Sequence, residues 1–273
     1  DVCSSDLEIT GILNGTTNYI LTRMDRAGVS FEAALKEAQD MGYAERNPEA
    51  DVEGHDTCRK IAILTAMATG KEVNYEDIYT EGITRITDVD FQYAEKLGAS
   101  VKLFGSSRID GEQVHAWVAP VMIGRDHMLY SVSDVFNGVM VKGNMVGTTM
   151  FYGSGAGKLP TASAVVADII AAVRHKNMNI AIGWSEERQT IAPMDTSSYR
   201  YFVRVDGNCE ENRSRVEAVF GKAELTVLDG LDEFAFVTEK MTEAAFKEKA
   251  VEFDSACQAF GKKGILQMIR AEL

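Results

Sequence analysis

Long apolar runs are missing from this chain. No stretch approaches the roughly 18–20 residues that a helical membrane span needs, and no start resembles a signal peptide, which excludes helical membrane insertion. Cysteine is sparse: Cys3, Cys58, Cys209 and Cys257 show no CxxC spacing and no dense framework, so a disulfide scaffold is excluded and a reduced, cytoplasmic setting is expected. Basic residues are outnumbered 28 to 41, and a net charge of −13 argues against a nucleic-acid partner, which needs clustered Lys and Arg. The four histidines, 55, 115, 127 and 175, have no metal-ligand spacing, so no metal is expected. Internal repeats and low-complexity segments are absent too.

What is present is ordinary globular composition, 45% hydrophobic and 25% charged over 273 residues, enough for one or two cores. The chain opens on Asp1 rather than Met, and residues 1–7 show no periodicity, whereas strongly patterned sequence begins immediately afterwards. The expected reading is a truncated frame, with a leader that need not be native.

Residues 8–99 read as mainly helical. Thr16 or Thr17 is a candidate cap for a helix ending near Gly28, and Ser30 caps a second helix stopped at Gly42. A third helix is expected from about Glu53 to Thr69, stopped by Gly70, and a fourth around 90–97. From 100 to 152 the period changes to two, giving strands at 101–104, 114–118, 135–141 and 148–152. A glycine loop at 153–157 then leads into a small-residue helix opened by Pro160, and 176–198 reads as an irregular connector. From residue 199 the order is β-α-β-β-α-β, with a hairpin around Asp229-Gly230, which is the ferredoxin-like pattern. The fold class is therefore α/β (α+β): a mixed sheet covered by helices, followed by a ferredoxin-like unit.

The densest chemistry lies between Gly42 and Lys60. On the third helix Asp56 and Lys60 are four residues apart and face the same way, in line with Ile63 and Met67. An inward lysine beside a carboxylate can transfer protons; an i,i+4 surface pair would look the same in sequence. Glu45 and Asp51 precede the helix, where carboxylates can meet a ligand's ammonium group, be solvated, or, for Asp51, cap the helix. The loop Gly153-Ser154-Gly155-Ala156-Gly157 permits close backbone approach to a ligand or is only a tight turn. It fails GxGxxG at Lys158 and the Walker pattern at Leu159.

Three separated motifs together carry a resemblance: Gly11-Ile12-Leu13-Asn14-Gly15-Thr16-Thr17-Asn18-Tyr19-Ile20-Leu21, the Gly42–Lys60 stretch and the Gly153–Pro160 loop. In this order they closely resemble the homoserine dehydrogenase family, over residues 8 to about 175. The resemblance implies NAD(P)-dependent interconversion of L-aspartate 4-semialdehyde and L-homoserine, on the route to threonine and methionine. It implies that Lys60 exchanges a proton with the substrate oxygen and that Asp56 orients this chemistry. It places Glu45 as substrate-binding, with Asp51, Tyr43 and Thr16 lining the same pocket and Gly155 bordering the cofactor. Members of the family are expected to be homodimers or higher homo-oligomers acting on a small-molecule substrate.

Departures from that pattern matter. The family's nucleotide-binding GxGxxG half, a further active-site lysine and a cation loop have no counterpart in the 273 residues, so the chain by itself is expected to be an inactive fragment. Asn47 stands where an Asp is expected. The resemblance divides the chain into a catalytic part at 8–175, a connector at 176–198 and an ACT-like part at 199–273. This last part is similar to those of monofunctional enzymes rather than fused aspartate kinases. Its segment Gly207-Asn208-Cys209-Glu210-Glu211 lacks the usual Pro-Gly effector turn. The competing reading is an amino-acid-binding ACT-type regulatory module with the remainder as scaffold.

Overall fold

In the computed structural model, residues 7–179, 183–259 and 263–273 are described. The leader with Cys3 and part of the 176–198 connector lie outside them. In chain order the elements are β1 Leu7–Ile12, α1 Gly15–Ala27, α2 Phe31–Asp40, α3 Glu49–Val52, α4 His55–Thr69, β2 Lys71–Glu72, β3 Tyr79–Thr80 and α5 Asp88–Lys96. There follow β4 Ala99–Asp110, β5 Gln113–Gly124, β6 Phe136–Gly143, β7 Gly147–Ser154, α6 Lys158–Arg174 and β8 Ser185–Arg188. The last group is β9 Ser198–Asp206, α7 Cys209–Phe220, β10 Leu225–Val227, β11 Glu233–Val237, β12 Met241–Thr242, α8 Glu243–Gln258 and β13 Ile265–Glu272.

One mixed sheet runs through the chain in the order β10-β11-β9-β13-β5-β4-β1-β6-β7. The segment from β9 to β13 has the β-α-β-β-α-β order, and its strands lie β13-β9-β11-β10, the ferredoxin-like arrangement expected from sequence. Its edge strand β13 pairs in parallel with β5, Arg270 opposite Val121 and Glu272 opposite Ile123, so the sheet continues without a break. Helices α1, α4 and α5 pack on β4 and fill the main core, in which Ile20, Leu21, Met24, Ile61 and Tyr93 are buried. Each such aliphatic side chain contributes about 1.5–3 kcal/mol by leaving water.

Two buried ionic groups tie this join together. Arg204 on β9 reaches Asp90 on α5 at 2.7 Å, and Asp90 also closes a capping box with Thr87. Arg270 on β13 lies 2.7 Å from Glu243 and 2.9 Å from Glu81, with both Arg270 and Glu243 only 1% exposed. Among the described residues no helix is long and apolar enough to cross a membrane. Cys58, Cys209 and Cys257 are free thiols.

Several boundaries differ from the sequence reading. Strand β1 falls in a region read as helical: its alternation, Leu7-Glu8-Ile9-Thr10, lasts only four residues before Gly11, too short to stand out, and its place between β4 and β6 is set by elements about a hundred residues away. Asn14, not Thr16 or Thr17, caps α1 by accepting from Thr17 N at 2.8 Å. The expected third helix is α4, starting at His55 after Gly54 turns the chain at φ 81°, and a short α3 precedes it in a segment read as a loop. The Ser30 cap and the left-handed Gly70 stop fall where expected.

Candidate active site

The site grows from the turn between β1 and α1. A Cβ on Gly11 would sit 2.8 Å from the Gly138 carbonyl oxygen, and one on Gly15 would sit 2.7 Å from that of Val135. Both glycines therefore let the turn press against β6 and the loop before it. Between them Asn14, buried, uses both ends of its amide. Its Oδ1 caps α1, while its Nδ2 donates to Asp51 Oδ1 at 2.7 Å and to Asp56 Oδ2 at 2.8 Å. One asparagine thus fixes carboxylates carried by α3 and α4.

Lys60 lies one turn beyond Asp56 on α4. Its Nζ donates to Asp56 Oδ2 at 2.7 Å and to the Leu13 carbonyl at 2.9 Å. The pairing is as the spacing implied, but the inward setting is not. The Lys60 side chain is 47% exposed, and Ile63 and Met67 on the same arc are exposed as well. Among the described residues no element covers this stripe; helical periodicity cannot distinguish a covered stripe from an uncovered one. The Asp51 carboxyl is pushed up, first by burial. The Asn14 hydrogen bond opposes this, the Asp56 charge adds to it, Lys60 opposes it, and Glu45 adds a last upward push.

A cavity of about 480 Å³ opens beside this cluster. Of the residues singled out in sequence, Thr16, Tyr43, Asp51, Asp56, Lys60 and Gly155 all line it. Thr16 Oγ1 donates to the Tyr43 carbonyl at 2.8 Å, tying the α1 start to the loop after α2. Glu45 does not line the cavity: it is exposed, and its backbone carbonyl accepts from Gln39 Nε2 at 3.0 Å. Among the described residues no group of three or more His, Cys, Asp or Glu is placed to hold a metal.

Two polar lining residues, Asn14 and Asn137, were not assigned a role from sequence. Asn14 was legible in principle as the polar residue between two glycines ahead of a helix. Asn137, on β6, gave no signal, since only the sheet register brings it to the cavity. A Cβ on Gly155 would stand 2.6 Å from Asn137 Nδ2, so any side chain there would have to displace Asn137, whose Oδ1 is buried with no partner among the described residues.

The family profile for homoserine dehydrogenase matches residues 5–170. This chain belongs to the homoserine dehydrogenase family. The homoserine dehydrogenase of Mycobacterium leprae is 38% identical over 288 residues, covering 97% of this chain and 64% of its own length. That of Bacillus subtilis is 37% identical, covering 88% and 59%. Among solved structures, the homoserine dehydrogenase from Thiobacillus denitrificans superposes with a TM-score of 0.85 at 31% identity, over 98% of this chain and 64% of that one. The chain thus spans about half to two thirds of the length of relatives it matches.

Proposed function

We propose that this chain forms the substrate-binding and proton-handling part of an NAD(P)-dependent homoserine dehydrogenase, which interconverts L-aspartate 4-semialdehyde and L-homoserine. The observation that carries the proposal is the convergence of the Asn14–Asp51–Asp56–Lys60 network and the Gly155 loop on one cavity. Lysine has three N–H protons. Two are held by Asp56 and Leu13, which leaves one for the substrate oxygen. Lys60 gives that proton as the aldehyde becomes an alcohol and takes it back in the reverse direction. Asp56 holds the ammonium in place, and Asp51, with Glu45 nearby, offers negative charge to the substrate's amino group. Thr16 and Tyr43 form the opposing wall.

When bound, NAD(P) supplies or accepts the hydride at the substrate carbon. The residues present fit one edge of such a cofactor: Gly155 and Gly157 bring bare backbone to the cavity wall, and the unpartnered Asn137 Oδ1 lies beside them. They do not fit its pyrophosphate, because no GxGxxG occurs in the 273 residues. That group would be held by other parts of a protein of the relatives' length. The exposed apolar faces of β7 and α6, including Phe151, Leu159, Ile169 and Val173, support a homo-oligomeric or multidomain enzyme. The part at 199–273 is read as an ACT-like effector unit joined by the 176–198 connector to the catalytic part at 8–175.

The test is homoserine-dependent reduction of NAD⁺ or NADP⁺ by a protein of the relatives' full length that carries this sequence. Turnover specific for homoserine supports the proposal, and a folded protein without it contradicts it.

A further inference from the structure

A second cavity, of about 330 Å³, lies where β9 and β13 meet β4 and β5. Its nearest strand residue on β1 is Glu8, six residues before Asn14. At about 3.3 Å of rise per residue the two cavities stand about 20 Å apart, at opposite ends of the same strand.

The register explains why charge gathers here. Lys142 on β6, Glu8 on β1, Arg108 on β4 and His115 on β5 are successive cross-strand partners and share one face of the sheet. The row ends at Ser197, whose Oγ lies 3.1 Å from His115 Nδ1. Burial, with the Arg108 charge second and Asp110 opposing them, pushes the His115 imidazole down, which favours its neutral form. Arg200 and Lys240 enter the cavity from the other side. Among the described residues Arg200 donates to the Thr238 carbonyl oxygen at 3.1 Å and to the Leu273 oxygen at 3.0 Å. Neither Arg108 nor Lys240 has a carboxylate within ion-pair distance among the described residues, and Arg200 reaches only the oxygen of Leu273, the last residue of the chain. Three cations against the two carboxylates of Glu8 and Glu272 give this lining an excess of positive charge, in a chain with 41 acidic and 28 basic residues.

We propose that this hollow is a binding site for a small carboxylate, held by Arg108, Arg200 and Lys240 with its carbon skeleton against Trp117 and Tyr199. The guanidinium fork matches a carboxylate, and Ser197 adds a hydroxyl from the floor. Trp117, nearly buried, meets Tyr199 edge-on at 5.5 Å and forms an apolar wall with no use for inorganic phosphate. Glu8 and Glu272 at the same cavity repel a second full negative charge, which disfavours phosphate further.

The test uses the whole 273-residue chain with Trp184→Phe, which leaves Trp117 as its one tryptophan. Butyrate, which carries a single carboxylate and a short carbon chain, is titrated at constant ionic strength and followed by Trp117 fluorescence and by calorimetry. Saturable binding is expected, weakened at least tenfold in the Arg108→Ala/Lys240→Ala double variant. Lys142→Ala removes a cation of the same row that does not line the cavity, and it is expected to leave binding unchanged. Absence of saturable binding, or binding indifferent to the double variant, overturns the site. Equal binding of inorganic phosphate overturns its assignment to carboxylates.

Discussion

Asn14 Nδ2 stands 2.7 Å from Asp51 Oδ1, and through this contact the residue that starts α1 also holds the carboxylate of another helix. The same amide caps α1 through Thr17 N, so helix start and site geometry depend on one side chain. Asn14→Ala is expected to lower stability by about 0.5–2 kcal/mol, the usual cost of a lost cap. It should also raise the KM for homoserine. Denaturant unfolding and steady-state kinetics measure the two effects; an unchanged KM would detach Asn14 from the substrate site.

Asp51 predicts an unusual pH response. Its folded-state pKa is raised, so the folded protein holds that proton more tightly than the unfolded chain. The charged carboxylate therefore costs stability, and the cost appears as pH rises from the unfolded value through the folded one. Asp51→Asn, which keeps an acceptor for Asn14, should stabilise the chain at pH 7 and lose that advantage below about pH 4. Melting curves at pH 7 and pH 3.5 check the sign.

Lys102 sits on β4, buried, and donates to the Val132 carbonyl at 2.9 Å. Burial lowers its pKa from 10.5 to about 8, while Asp25 and Asp134 pull it back and Arg26 does not. Keeping it charged costs stability below the folded value, and the cost fades as pH rises toward 10.5. Lys102→Met should raise the melting temperature at pH 7, with a gain that shrinks by pH 10. A gain that grows with pH would contradict the assignment.

Arg270 is the cation shared by Glu243 and Glu81 where β13 joins β5. Replacing it with Met leaves two carboxylates without their counter-charge in a buried setting, for which a loss of about 3–5 kcal/mol is expected. Because Arg270 links residues before and after the connector, unfolding should remain a single transition in the wild type. Separate transitions for the two halves would show that the join is weaker than the contacts imply.

The legible parts of the fold were those with local signals. Ser30 and Gly70 mark helix ends through side-chain capping and left-handed backbone, and alternation marked β4 to β7. Strand β1 was illegible because its alternation runs over only four residues, Leu7 to Thr10, and its partners β4 and β6 lie about a hundred residues away. The Asp56–Lys60 pair was legible from helical spacing, whereas its exposure was not, since Lys60's surroundings are set by elements distant in sequence. Asn137 was hidden for the same reason: it meets Gly155 through the β6–β7 register, which pairs Asn137 with Gly153.

The most direct measurement of the central claim is kcat for homoserine oxidation in a protein of the relatives' length, wild type against Lys60→Met. Loss of a positioned proton donor typically costs about 10²–10⁴-fold. A fall of that size, with the fold intact by circular dichroism, is the predicted result. A Lys60→Met enzyme that turns over at near wild-type rate would show that the proton passes through another group.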